Sequence, residues 1–123
     1  MVESARGLRF LIVEDEIMVL LMIEDMLEEL GCEVAASAAS PQKALELIAT
    51  RSFDAALLDM KLNGETSEAV AQALLDRGTP FIFCTGGDMQ DLAPQFRNHP
   101  FLRKPFTYED LARTLGQLRL GSN

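Results

Sequence analysis

Acidic residues, one hydroxyl and one lysine follow apolar runs at several points of the chain. Glu14 and Asp15 follow "LRFLIV", Asp59 follows "AALL", Thr85 follows "FIFC", and Lys104 follows "FLR". Neighbouring carboxylates repel one another unless a cation lies among them, and oxygen ligands with room for water and a phosphoryl group suit Mg²⁺. A lysine and a hydroxyl suit an anion beside that metal. These residue types predict phosphoryl transfer onto a carboxylate, with Asp59 as the nucleophile and with Thr85 and Lys104 beside the transferred anion.

Short apolar runs alternate with segments whose apolar residues recur at helical spacing. This strict alternation predicts right-handed crossovers and a parallel sheet covered on both faces, with the polar strand ends at one edge. The predicted strands are 8–13, 32–37, 53–59, 80–85 and 101–106, and the clear helices are 17–30, 40–51, 66–78 and 107–120. Helix ends are marked by Ser40 with Pro41, by Thr107, by Thr66 or Ser67, and by Gly31.

Residues 86–100 are the irregular part of the pattern. They should hold a fourth helix between the fourth and fifth strands, but Gly86, Gly87 and Pro94 leave that helix short or irregular. His99, the only histidine of the chain, lies in this segment. We interpret it as a loop residue rather than as a ligand or a phosphodonor.

Composition limits the class of protein. The chain has 123 residues, 48% of them hydrophobic, which predicts one domain over 1–123 without a separate output domain. It shows no membrane span and no signal peptide, so we expect a cytoplasmic protein. A net charge of −8 without a basic cluster argues against nucleic-acid binding. Cys32 and Cys84 are interpreted as reduced, buried hydrophobic residues.

Each candidate site residue also has an ordinary interpretation. Glu14 and Asp15 could be the acidic start of a helix, Asp59 a turn cap, Thr85 a strand-end hydroxyl, and Lys104 a solvated lysine. Their joint occurrence, in order at the ends of successive strands, favours a common site.

The four motifs together resemble the receiver domain of a two-component response regulator, of the chemotaxis-regulator type. They are "LIVEDE" (11–16), "ALLDMKLNGE" (56–65), "FIFCTGG" (81–87) and "LRKPF" (102–106). The resemblance implies a flavodoxin-like fold, a five-stranded parallel sheet of order 2-1-3-4-5 with five helices. It also implies that the chain works with a sensor histidine kinase and Mg²⁺.

The roles of individual residues follow from the same resemblance. It implies that Asp59 accepts the phosphoryl group and that Glu14, Asp15, Asp59 and the main-chain carbonyl of Lys61 hold Mg²⁺. Thr85 matches the switch hydroxyl, and Lys104 matches the lysine that contacts the phosphoryl group. The peptide bond between Lys104 and Pro105 is expected to be cis.

Two positions bear on the type of receiver. Phe101 stands where the family has its aromatic switch residue, and a phenyl ring lacks a tyrosine's hydroxyl. "PFIFCTGG" is similar to a Phe-x-Phe-Ala-Thr-Gly subgroup, with Cys84 in place of the alanine. That subgroup implies a poorly formed fourth helix and pairing with alphaproteobacterial histidine kinases of the HWE type.

Several functions remain open at this point. The first is a single-domain regulator whose phosphorylation changes a protein-interaction surface. The alternatives are a phosphate sink for a shared kinase and a receiver-like interaction module that works without phosphorylation. An enzyme with an Asp nucleophile, a phosphatase or a dehalogenase, is disfavoured because Lys61 stands where such enzymes usually carry a second acid.

Overall fold

The computed structural model describes residues 6–87 and 92–118 of the 123-residue chain. These residues form seven strands and four α-helices. The elements are β1 (Arg9–Val13), α1 (Ile17–Glu29), β2 (Glu33–Ala38), α2 (Pro41–Thr50), β3 (Ala55–Asp59), β4 (Lys61–Leu62), β5 (Glu65–Thr66), α3 (Glu68–Asp76), β6 (Phe81–Thr85), β7 (Phe101–Arg103) and α4 (Tyr108–Leu115). Among the described helices, none is long and apolar enough to cross a membrane.

Five of the strands form a parallel sheet in the order β2-β1-β3-β6-β7. When the two-residue strands β4 and β5 are set aside, this is the predicted flavodoxin-like order 2-1-3-4-5, which is confirmed. The register places Val13 beside Leu58, and Leu58 beside Phe83. The carboxyl ends of the three central strands therefore lie side by side.

The central strands are covered on both faces, as their continuous apolar sequences predict. Every residue of β3 and β6 is buried. Alternate side chains separate into two hydrophobic clusters because successive strand residues point to opposite faces. One cluster packs β-strand residues against α2 and α3, and the other packs them against α1 and α4. Cys32 and Cys84 are both buried within the second cluster, as predicted.

Local sequence explains where the helices begin and end. The Ser40 hydroxyl accepts a hydrogen bond from the Lys43 N–H at 3.2 Å, and Pro41 is the first residue of α2. Thr107 and Asp110 form a reciprocal capping box at the start of α4. Ser67 precedes α3, but its hydroxyl donates to the Met60 carbonyl rather than capping the helix. Gly31 follows α1 with a φ of +87°, as a C′ glycine should.

A small hairpin directly after β3 was not predicted from the sequence. Strands β4 and β5 are antiparallel and form their own two-stranded sheet. Asn63 and Gly64 make the turn with φ values of +52° and +83°. Asn-Gly between two short segments is a strong hairpin signal, but two-residue strands show no periodicity.

The segment before β7 contains a single turn of 3₁₀ helix, Pro94–Phe96, in place of a regular helix. The predicted irregularity is thus confirmed for residues 92–100, whereas residues 88–91 lie outside the described part. Phe96 is buried against Phe83, with 5.9 Å between ring centroids. The His99 ring stacks on Phe81 at 4.6 Å, and burial lowers the pKa of His99, which favours the neutral imidazole.

Because aromatic packing anchors this segment, replacing Phe96 should destabilise the protein. We expect Phe96→Ala to lower the free energy of unfolding by about 3–4 kcal/mol, measured by urea denaturation. Phe101→Ala is the matched control, since the Phe101 side chain is 40% exposed, and should cost less than about 1 kcal/mol. Equal losses in the two variants would show that Phe96 does not anchor the segment.

Candidate functional site

The carboxyl edge of the sheet gathers the polar residues that follow the strands. Glu14 and Asp15 follow β1, Asp59 ends β3, Thr85 ends β6, and Lys104 follows β7. Carboxylate oxygens of Glu14, Asp15 and Asp59 lie within 4.8 Å of one another. The structure therefore brings together the strand-end residues that the sequence nominates as one site.

Lys104 joins two of the three carboxylates. Its Nζ donates to Glu14 Oε1 at 3.0 Å and to Asp59 Oδ2 at 3.1 Å. The Glu14 side chain is 1% exposed and that of Asp59 is 11% exposed, so both carboxylates have lost most of their water. A buried carboxylate needs such a partner, because an unpaired charge in an apolar setting is very costly.

Burial and charge act in opposite directions on this cluster. Burial raises the pKa of Glu14, as does the nearby charge of Asp59, while the hydrogen bond from Lys104 partly offsets the rise. Burial alone would lower the pKa of Lys104, but its bonds and charge interactions with Glu14 and Asp59 outweigh this, and the pKa is raised. Lys104 therefore stays protonated, and its ammonium is shared by the two buried carboxylates.

Asp15 and Lys61 are positioned by the hairpin. The backbone N–H of Asn63 donates to Asp15 Oδ2 at 3.0 Å. The Lys61 N–H lies 3.4 Å from Asp59 Oδ1, while the Lys61 side chain is exposed. The peptide of Lys61 thus borders the carboxylate cluster. Coordination of a metal by the Lys61 carbonyl stays a prediction.

Thr85 lies beside a cavity of about 290 Å³ at the same edge. The Thr85 hydroxyl oxygen accepts the Gly87 N–H at 2.9 Å, and Arg103 donates to the Gly87 carbonyl at 3.0 Å. The cavity is lined by Asp59, Met60, Lys61, Thr85, Gly86 and Gly87. Because the two glycines have no side chains, a group bound to Asp59 has room beside Thr85.

The predicted switch residue Phe101 lies at the opposite end of β7 from Lys104. Its ring is 40% exposed, and its backbone pairs with that of Phe83. The ring is therefore partly turned towards solvent in this structure. The switch role of Phe101 stays a prediction, as do the roles of Asp59, Thr85 and Lys104 in phosphoryl transfer.

The donor set fits a hard divalent cation. Three carboxylates and one ammonium leave two negative charges when all are ionised, and Lys61 borders the cluster through its N–H, 3.4 Å from Asp59 Oδ1. Oxygen donors of this kind suit Mg²⁺, which keeps several of its waters and uses few protein ligands. Glu14, Asp15, Asp59 and the Lys61 carbonyl are the groups that would hold it.

Two features of the site were not anticipated from sequence. The Asn63 contact with Asp15 joins residues 48 positions apart, although the Asn-Gly signal for the turn was present. The contact of Arg103 with Gly87 has no local signal, because it depends on β7 pairing beside the end of β6.

A doubly covered parallel sheet of this strand order defines the class of flavodoxin-like α/β domains. The family model described as the response regulator receiver domain matches residues 10–115, and the chain belongs to that family. The resemblance stated from the motifs is thereby confirmed. Members of this family are signalling proteins of two-component systems rather than classical enzymes.

Individual relatives agree with this assignment. The transcriptional regulatory protein PdtaR of Mycobacterium tuberculosis is 30% identical over 113 residues, and the match covers 89% of this chain but 55% of PdtaR. The chain thus spans about half the length of the curated relatives it matches. SdrG from Sphingomonas melonis Fr1 is 40% identical, with a TM-score of 0.81 and coverage of 92% of this chain and 96% of SdrG.

A magnesium complex is known for another similar structure. The receiver domain of the sensor histidine kinase PA1611 from Pseudomonas aeruginosa PAO1, with magnesium coordinated in its active-site cleft, is 26% identical. Its TM-score is 0.78, and the match covers 90% of this chain and 96% of that domain. Receiver domains bind Mg²⁺ at an acidic pocket, and this chain has an acidic cluster formed by Glu14, Asp15 and Asp59.

Removing the Lys104 ammonium should expose the repulsion between the carboxylates. We expect Lys104→Met to lower the free energy of unfolding by about 2–3 kcal/mol in Mg²⁺-free buffer, because Glu14 and Asp59 lose their shared cation. Saturating Mg²⁺ should recover part of the loss by binding the folded state.

The control is Lys43→Met, which removes an exposed lysine 3.9 Å from Glu46. It should change the free energy of unfolding by less than about 0.5 kcal/mol. If Lys104→Met unfolds at the same urea concentration as the wild type, Lys104 is not needed to offset the carboxylate charge.

Proposed function

We propose that this receiver accepts a phosphoryl group from a histidine kinase onto Asp59 with Mg²⁺, and that the phosphorylated form signals through a protein-interaction surface. One observation carries the proposal. Asp59 lies beside an open cavity, with Lys104 bonded to its Oδ2 and with two further carboxylates within reach of a shared cation. We place this activity in the cytoplasm.

Each residue of the site has a separate role in the proposed phosphoryl transfer. A carboxylate oxygen of Asp59 attacks phosphorus, and the bond from phosphorus to the donor histidine nitrogen breaks, leaving its electron pair on the imidazole. Lys104 places a positive charge where the negative charge of the phosphoryl oxygens gathers. Mg²⁺, when bound, neutralises charge on those oxygens. The Gly86 and Gly87 backbone leaves space for the incoming group.

Thr85 supports the proposed readout of phosphorylation. Its oxygen already accepts the Gly87 N–H, so its hydroxyl hydrogen is the donor that remains for a phosphoryl oxygen. A movement of Thr85 would be passed to Gly87 and then to Arg103, which binds the Gly87 carbonyl. We propose that the responding surface comprises residues 92–100, β7 and α4, and that a partner protein reads it.

Helix α1 supports docking of a protein phosphodonor. It begins two residues after Asp15, and its first two turns expose apolar side chains: Ile17 is 62%, Met18 74% and Leu21 48% exposed. A kinase that delivers its histidine to Asp59 must cover the rim of the site, where these side chains lie. We propose an HWE-type kinase as this partner, from the similarity of "PFIFCTGG" to the Phe-x-Phe-Ala-Thr-Gly subgroup.

The chemistry is tested with a donor that needs no docking surface. Incubation with acetyl phosphate and Mg²⁺ should add one phosphoryl group, seen by intact-mass spectrometry, and Asp59→Asn should add none. Chelation of Mg²⁺ should also abolish the addition.

A short-lived phosphoryl group could escape this measurement. In that case ¹⁹F NMR can measure directly whether beryllofluoride binds at the Asp59 site. If the wild type neither gains mass nor binds beryllofluoride with Mg²⁺ present, the phosphoacceptor function is wrong, and an interaction module without phosphorylation takes its place.

Docking is tested by comparing two phosphodonors on one variant. Met18→Glu should slow transfer from a phosphorylated HWE-type kinase by about tenfold or more, since it places a charge in an apolar contact. Its phosphorylation by acetyl phosphate should stay within twofold of the wild type.

Leu75→Glu is the matched control, because Leu75 is an exposed apolar residue of α3, 39% exposed. It should leave both rates unchanged. If Met18→Glu slows both donors equally, α1 affects the chemistry and is not a docking surface.

A further inference from the structure

The Asn63–Gly64 turn is bound to the acidic site on one side and to the neighbouring loop on the other. Asn63 donates through its backbone N–H to Asp15 Oδ2 at 3.0 Å. Its side-chain amide donates to the Ala39 carbonyl, just after β2, at 3.3 Å. One residue thus connects the hairpin, the carboxylate of Asp15 and the loop before α2.

The conformation of the turn explains why an asparagine stands there. Asn63 has a φ of +52° and Gly64 a φ of +83°. Positive φ at both central residues is typical of a type I′ turn, in which Asn-Gly is strongly preferred. Asparagine tolerates this left-handed region, whereas alanine is strained in it. Its amide adds a donor that glycine cannot supply.

The register of the hairpin directs the Lys61 peptide towards the site. Leu62 pairs with Glu65 beside the turn, and Lys61 pairs with Thr66 one step further. In a two-residue hairpin the pair beside the turn is hydrogen-bonded and the next pair is not. The N–H and C=O of Lys61 therefore face away from β5, and the N–H lies 3.4 Å from Asp59 Oδ1.

The base of the hairpin, like its tip, is held by hydrogen bonds. The Met60 carbonyl accepts both the Ser67 N–H at 2.9 Å and the Ser67 hydroxyl at 3.1 Å. The Met60 N–H donates to the Cys84 carbonyl at 3.0 Å. With both ends bound, a change in the conformation of the turn must displace the peptides between them.

We propose that Asn63 is a positioning residue for the Mg²⁺ site, orienting Asp15 through its N–H and setting the Lys61 carbonyl through the turn register. This inference rests on the proposed function, since it concerns the same metal site. Partners that orient metal ligands affect affinity by about 10–100-fold. Asn63 meets this description because its N–H fixes one carboxylate oxygen of Asp15 and leaves the other available.

The test is Mg²⁺ binding to the unphosphorylated protein by isothermal titration calorimetry. Asn63→Ala should raise the Kd for Mg²⁺ by about tenfold or more. Asn63→Gly keeps the left-handed turn and the backbone N–H but loses the amide bond to Ala39, so its Kd should lie between those of the wild type and Asn63→Ala.

The control is Gln72→Ala, which removes an exposed side-chain amide of α3 that donates to Asp76 Oδ1 at 3.0 Å. Its Kd should stay within twofold of the wild type. Urea unfolding midpoints in Mg²⁺-free buffer separate a loss of metal affinity from a loss of folded protein. A residue that only stabilises the hairpin would lower the midpoint and leave the Kd of the folded protein unchanged.

The possible failures are distinguishable. If the wild type binds no Mg²⁺, the proposed metal site itself is wrong. If the wild type binds Mg²⁺ and both Asn63 variants bind within twofold of it, only the positioning role of Asn63 is overturned.

Discussion

The contact of the Lys104 ammonium with Glu14 and Asp59 is the interaction around which this structure is arranged. Lys104 follows β7, Glu14 follows β1 and Asp59 ends β3, and β6 separates β7 from β3 in the sheet. With neighbouring strands about 4.8 Å apart, the lysine side chain must reach across the carboxyl end of β6. That end carries Thr85 and then Gly86, and both line the cavity beside Asp59. The ion cluster thus depends on the strand order and on the equal lengths of the central strands.

The parts of the fold that were predictable from sequence are those set by local pattern. Continuous apolar runs identified the buried strands, and Ser40 and Thr107 marked helix starts through bonds made within three residues. The meeting of Glu14, Asp59 and Lys104 followed from the rule that parallel strands share one carboxyl edge. The specific contacts could not be predicted from the sequence, because Lys104 and Glu14 are 90 positions apart and Asn63 and Asp15 are 48 apart. Such contacts depend on how loops close over the edge, which periodicity does not report.

The segment before β7 shows how aromatic packing can replace a regular helix. Phe96 and His99 pack with Phe81 and Phe83 at the sheet, and Ala93 donates its N–H to Glu68 Oε2 at 2.6 Å. Within residues 92–100, the only helical hydrogen-bonded element is the 3₁₀ turn Pro94–Phe96. A segment held by a few side-chain anchors can change its arrangement at lower cost than a helix with a full backbone ladder. This property suits a surface whose conformation we propose to change when Thr85 moves.

The carboxylates of the site are held by two kinds of contact, an ion pair and a backbone hydrogen bond, which affect the net charge of the site differently. Glu14 and Asp59 are buried and share an ammonium, so part of their charge is offset within the protein. Asp15 is oriented by a backbone N–H, which fixes its direction without cancelling its charge. A neutral dipole at Asp15 leaves both net negative charges of the fully ionised cluster, whereas a second lysine there would leave only one. Gathering three carboxylates in this way opposes folding, and proteins commonly tolerate such a cost where activity requires it. The hairpin contributes to the site in this way: the Asn63 N–H orients the Asp15 carboxylate, and because this donor is neutral, it adds no positive charge to the site.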